Sequence, residues 1–175
     1  PILLNSDLAK IVQTEIPALR TRTLSTLFPV AEGVDGLRRA LDRIRHEATQ
    51  AVAEGCSIII LSDRGVDAEQ TFIPSLLAVG SVHHHLIREQ TRTSIDIVVE
   101  SGEPREVHHF ATLFGYGAAA VNPYLAFESL AGLRDRPRID QGTLDDQEVV
   151  EINFVKAVMK GVLKVMSKMG ISTLQ

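Results

Sequence analysis

Tryptophan is absent from this sequence, cysteine occurs once, and aromatic residues make up only 5% of its 175 positions. The lone thiol, Cys56, cannot close an intrachain disulfide. This chain alone cannot build a thiolate zinc or iron–sulfur site from it either. So few aromatic rings leave little surface for stacking bases or sugars. A basic excess is also missing: net charge is −4 at pH 7, so no general positive field draws nucleic acid or anionic lipid. No apolar run reaches the length of a bilayer span, and no signal peptide is visible. These absences point to the cytosol and away from nucleic-acid and membrane partners. What is present is ordinary for a globular protein, 45% hydrophobic and 23% charged, on a chain long enough for one domain with a real core.

The patterning alternates. Asn5, Ser6 and Asp7 supply helix-start chemistry before LAKIVQTEI, which Pro17 ends. Residues 21–30, TRTLSTLFPV, read as a strand. Leu37, Leu41, Ile44, Ala48 and Val52 recur at helical spacing, with Gly55 placed as terminator. SIIILSD, 57–63, is a continuous apolar run of the kind buried on both faces of a parallel sheet. RGVDAEQTFI reads as loop, and Pro74 suits the first turn of the next helix. Further strands are expected at 94–101 and 118–123, each followed by a helix. Residues 131–148 read as an exposed loop, and a long helix from about Gln147 to Met169 follows. The sequence is thus an α/β protein of alternating strand–helix units with parallel strands, a partial (β/α) barrel-like domain over 1–175. Four or five units are too few to close an eight-stranded barrel. At the end, MGISTLQ reads as a helix passing into the first residues of another strand.

Three sets of residues invite a chemical reading. SVHHHLIREQ, 81–90, carries His83, His84 and His85, and His108 and His109 follow. Two helical ligands for one metal need a separation of three or four, which neither group has. Taking Leu76, Val79, Val82 and Leu86 as the buried stripe, these histidines belong to helix flanks, hydrogen-bonded to groups such as Glu89 or Glu106. No residue is therefore assigned to a metal, a cofactor or catalysis. No phosphate-binding glycine motif is present, and neither Ser62 nor Cys56 has a base placed beside it.

The second set is a polar rim just past the strands: Asp63 and Arg64, Glu100 and Glu103, and Asn122. Ligands of parallel α/β folds bind at that end, and the same residue types also serve as loop and cap residues. In a self-sufficient barrel-type lyase or hydrolase, Asp63, Glu100 and Glu103 would hold a divalent cation. The third set is Lys156, Lys160, Lys164 and Lys168, repeating every four residues opposite Ile152, Val155, Met159, Val162 and Met166. That stripe is a solvated face or one that meets an acidic domain or subunit.

TLSTLFPV, ILSDRGVD, IPSLLAVGSVHHHLIR, DIVVESGEPREVHHFATLFGYGAAAVNPYLAFESL and VKAVMKGVLKVMSKMGISTLQ together resemble the central region of the glutamate synthase large subunit. The resemblance covers nearly the whole chain and is most specific between Ile73 and Leu130. It implies a parent enzyme that makes two glutamates from glutamine and 2-oxoglutarate. Electrons would come from a pyridine nucleotide or ferredoxin, in some members through a small electron-transfer subunit. It implies an N-terminal glutaminase domain with a terminal cysteine nucleophile, and an FMN domain that also carries a 3Fe-4S cluster. The central domain between them is similar to an α/β barrel without flavin and helps shape the route for ammonia. Residues 149–175 would then lead toward the FMN domain, and a parent of plant type would place the protein in a plastid. The family's catalytic residues do not carry over, because Cys56 is internal and the cluster cysteines and flavin segments have no counterpart here. The expectation is a structural, interdomain segment without independent catalysis, with the lysine stripe as a candidate interdomain face. Taken without its neighbours, it would leave a sheet edge unpaired and self-associate.

Overall fold

A computed structural model of the chain describes residues 1–133 and 147–174. Its helices are α1 (Asn5–Val12), α2 (Gly33–Ala53), α3 (Ser75–Arg88), α4 (Val107–Gly115), α5 (Tyr124–Leu133) and α6 (Gln147–Met169). Its strands are β1 (Thr21–Ser25), β2 (Leu27–Pro29), β3 (Ile58–Ser62), β4 (Gln70–Phe72), β5 (Asp96–Glu100) and β6 (Ala120–Asn122). The four strands β1-β3-β5-β6 form one open sheet, parallel throughout. The α/β class and the alternation follow the reading of the sequence.

Register determines which residues share a face. Ile59, Ile97 and Leu61, Val99, Val121 align on one side and pack with Ile44, Val82, Leu86 and Phe110 from α2, α3 and α4 into the main core. Ile60, Val98 and Ala120 point the other way, where Leu8 of α1 covers them and Leu3 and Ile58 pack alongside. Both faces of β3 and β5 are therefore covered, which is why their sequences are almost uninterrupted Ile and Val. The chain start adds to the β6 edge: Ile2 bridges Val121 in parallel, and the Leu3 N–H donates to the Val121 carbonyl at 2.9 Å. On the outer side Phe154 of α6 meets Phe110 and Phe127 edge-on, at 6.3 and 5.9 Å between ring centroids, fastening α6 to α4 and α5.

Several elements depart from expectation. The single strand foreseen over 21–30 is two, because Thr26 turns the chain. Its backbone N–H and its hydroxyl both donate to the Ser62 carbonyl, at 2.8 and 3.0 Å. Beyond it, β2 leaves the main sheet to pair antiparallel with β4, a strand inside the stretch read as loop. Asp67 makes that return turn by accepting the N–H groups of Glu69 and Gln70 at 2.8 and 2.7 Å, an Asx turn. α1 stops at Val12, and Pro17 opens a short 3-10 turn instead of ending the helix. Leu76, expected on a buried stripe, is 37% exposed, and Met159, set opposite the lysine stripe, is 41% exposed. Of the loop foreseen at 131–148, the first three residues finish α5 and the last two begin α6. Residues 134–146 lie outside the described residues. Gly170–Leu174 carries no regular element where a strand beginning was read.

Candidate functional site

At the carboxyl end of the sheet, Ser25, Ser62, Glu100 and Asn122 align across all four strands. They cap the apolar layer of Ile60, Val98 and Ala120 with a polar row. Ser62 Oγ donates to Glu100 Oε2 at 2.5 Å, and the Arg64 guanidinium donates through Nε to Glu100 Oε1. Arg64 also reaches Glu128 at 3.5 Å and lies 4.0 Å over the Tyr124 ring, a cation–π contact.

Asp63 sits on the other side of the same strand end, 4% exposed. Ser101 Oγ donates to its Oδ2 at 2.5 Å, and the Gly102 N–H is shared between its two oxygens at 3.1 Å. The Tyr124 hydroxyl interacts with the same carboxylate. Burial pushes the Asp63 pKa up, opposed by the Ser101, Tyr124 and Gly102 hydrogen bonds and reinforced by Glu103 nearby. Tyr124 is pushed well above its ordinary value, by burial first and then by Asp63. The loops after β3, β5 and β6 are thereby tied together by one network whose charges and donors are used on one another.

The sequence-selected rim residues do not converge on one centre. Asp63, Arg64 and Glu100 meet in this network. Glu103 instead accepts the Ser75 N–H at 2.6 Å and caps the start of α3. Asn122, fully buried, donates from Nδ2 to the Leu3 carbonyl and to Asn5 Oδ1, both at 3.0 Å, pinning the chain start. Of the three carboxylates considered as cation ligands, Asp63 and Glu100 belong to the network and Glu103 caps α3. Among the described residues no group of three or more His, Cys, Asp or Glu side chains could hold a metal ion. Tyr124 is the residue that the sequence reading missed; the signal available was a Tyr directly after the strand-ending Asn122-Pro123.

The histidines have local partners, and of the two glutamates foreseen Glu106 bonds to a histidine, through its backbone. His85 Nε2 meets Thr49 Oγ1 at 2.8 Å, and His109 Nδ1 accepts the Arg105 and Glu106 N–H groups at the head of α4. His83 Nδ1 accepts from Arg92 Nε at 3.0 Å, while Arg92 also donates to the Ile95 and Gly117 carbonyls at 2.6 and 2.8 Å. That geometry requires a neutral His83. Burial, then Arg92 and His84, lower its pKa from 6.5. Burial likewise lowers that of His85, against Glu89 and with Arg45 and Arg88. Folded pKa values below the unfolded one mean that the unfolded chain binds protons first. Stability is then full above the unfolded value and is lost as pH falls through it toward the folded values. The urea midpoint is expected to drop between about pH 7.5 and about pH 5.5, and a doubly substituted H83N/H85N chain to show a flatter profile.

Lys156, Lys160, Lys164 and Lys168 are all exposed on α6. No helix among the described residues is long and apolar enough to cross a membrane.

The fold and its strand ends define an α/β domain with an open parallel sheet, whose rim is closed by its own side chains. Comparison with known proteins narrows this class: the description "Glutamate synthase central domain" matches residues 1–175, and the chain belongs to that family. It is 43% identical over 176 residues to the glutamate synthase [NADPH] large chain of Bacillus subtilis, covering 100% of this chain and 11% of that one. It is 45% identical to the glutamate synthase [NADH] of Schizosaccharomyces pombe over 91% of this chain and 7% of the relative. Against the chloroplastic ferredoxin-dependent glutamate synthase of Spinacia oleracea it is 39% identical, over 99% and 11%. The chain thus spans about a tenth of the length of the curated relatives it matches.

Proposed function

We propose that this domain is the structural, interdomain segment of a glutamate synthase polypeptide. In that role it links a glutaminase domain to an FMN domain that also carries a 3Fe-4S cluster, and helps shape the path of ammonia between them. The parent reaction, glutamine plus 2-oxoglutarate to two glutamates, places it in ammonia assimilation, in the cytoplasm or in a plastid. The electron donor, taken directly or through a small electron-transfer subunit, acts elsewhere in the assembly. The observation that carries this reading is the match over the whole chain to the central-domain family. The strand-end network supports it, since Asp63, Arg64 and Glu100 are engaged with neighbouring loops.

The test is an uncoupling experiment on the full-length enzyme. An Arg64→Ala, Glu128→Ala variant loosens the loops after β3 and β6 and removes no reactive group. Glutaminase turnover and ammonia-dependent glutamate formation should both persist, while glutamate made per glutamine hydrolysed falls and free ammonia appears. Equal collapse of both half reactions would argue for catalysis within this domain, as would stoichiometric flavin or metal bound by the domain alone. Expressed by itself, the domain is expected to self-associate. β1 is an edge strand of the sheet, and Val12, Ile16 and Leu19, just before it, are 47%, 55% and 43% exposed. Sedimentation as a clean monomer at high concentration would refute this.

A further inference from the structure

Along the seam between α4 and α6 lies an open groove of about 680 Å³. Phe154, Val158 and Val165 make its floor apolar, and Arg105, His108, Lys164 and Lys168 stand around it, with Glu106 the one acid among its lining residues. α6 lies close to α4 here because position 161 is glycine; a β-carbon there would overlap the Val107 side chain. Arg105, Lys164 and Lys168 make no ion pair with another described residue. Among the described residues, Glu106 is the one acid lining the groove beside these three cations. Lysines four apart on a helix repel slightly, and an anionic group facing this rim would relieve that repulsion. The four-residue repeat also advances around the helix by roughly 40° per step. Lys164 and Lys168 therefore reach the groove, while Lys156 and Lys160 wind away from it and are not among its lining residues.

We propose that this groove docks an acidic, amphipathic segment contributed by another part of the same polypeptide, with apolar side chains on the floor and carboxylates against Arg105, Lys164 and Lys168. This rests on the scaffold reading above and specifies one of its contacts. A concave apolar floor within a positive rim suits alternating apolar and acidic side chains of a peptide better than a flat lipid surface. The relatives extend about ten times further than this chain, and a tethered segment at high effective concentration fills a modest groove that a free partner would not.

The experiment uses the full-length polypeptide. Carbodiimide cross-linking with mass spectrometry should join Lys164 or Lys168 to Asp or Glu residues of one contiguous segment outside residues 1–175. K164E/K168E should raise amide exchange along the groove side of α6 by about tenfold, as expected when charge pairs at an interface are reversed. K156E/K160E, on the same helix but off the groove, should leave that exchange unchanged. Unaltered exchange in β3 verifies that both variants are folded. Cross-links confined to Lys156 and Lys160 would sink the groove and leave the scaffold standing. Cross-links to a separate subunit, or binding to phosphatidylserine vesicles abolished by K164E/K168E, would replace the occupant proposed here. Unchanged exchange with no cross-link from Lys164 or Lys168 would remove it altogether. The scaffold reading itself is judged separately, by the coupling of ammonia release to glutamate formation.

Discussion

Replacing Asp63 with alanine is expected to destabilise the domain by about 3 kcal/mol or more. The Ser101 hydroxyl and the Gly102 N–H donate to its carboxylate, and the Tyr124 hydroxyl interacts with it as well. Ser101 is itself 1% exposed, so water reaches these groups poorly once their acceptor is gone. Each buried group left unpaired costs about 1–3 kcal/mol. Asp63→Asn behaves differently, because the amide keeps one acceptor oxygen for Gly102 and offers its N–H to the two hydroxyls. Its loss should be about 1 kcal/mol or less at neutral pH. The pH dependence runs opposite to that of the histidines. Burial raises the folded pKa of Asp63 above its ordinary value, so the folded state holds the proton more tightly than the unfolded one. Its contribution is greatest below the unfolded carboxylate value and declines as pH rises through the folded value. Asn at 63 abolishes that decline. Urea titrations of the wild type and both variants across the acid range measure the two effects together. An alanine variant within about half a kcal/mol of wild type, the ordinary scatter for surface changes, would mean that the network does not hold the strand ends.

The second large effect is expected at Gly117. Its φ is +107°, a region that side chains rarely occupy, and a β-carbon there would overlap the His83 ring. That ring cannot simply step aside. It is the acceptor for Arg92, whose guanidinium is simultaneously engaged with the Ile95 and Gly117 carbonyls. Backbone strain and overpacking each cost roughly 1–3 kcal/mol, so Gly117→Ala should lose on the order of 3 kcal/mol in chemical denaturation. A double-mutant cycle separates the two causes. With His83→Ala already present, the overlap is gone and Gly117→Ala should cost only the backbone part. Equal costs in both backgrounds would show that the His83 ring plays no part.

The clamp formed by Arg92, His83 and Gly117 marks the limit of what spacing along the histidine run can tell. Spacing alone separates the three rings around the helix, so a metal pair on one helix was unsupported. What each imidazole bonds to is a different matter. Arg92 lies nine residues from His83 and Gly117 lies thirty-four away, and they meet because the α3–β5 and α4–β6 connections fall side by side. The same limit applies at the rim. That Asp63, Glu100 and Asn122 end strands is visible from the apolar runs before them. That Asp63 binds Ser101, Glu103 caps α3, and Asn122 secures Leu3 and Asn5 depends on strand order and register.

Alternation of apolar runs with amphipathic stretches was enough to determine the class, the parallel sheet and the order of most elements. The reason is local: a strand buried on both faces cannot accept polar residues, and a helix with one buried face repeats them with its own period. The resemblance carried by the longer motifs was legible for the same reason, as continuous text. Only the tertiary structure decided that Thr26 breaks the first strand, that β4 exists to pair with β2, and that two of four lysines border an apolar groove. Each of these depends on a partner distant in the chain, such as the Ser62 carbonyl, Leu27–Pro29 or Val107, and no periodicity records which distant residue will be adjacent.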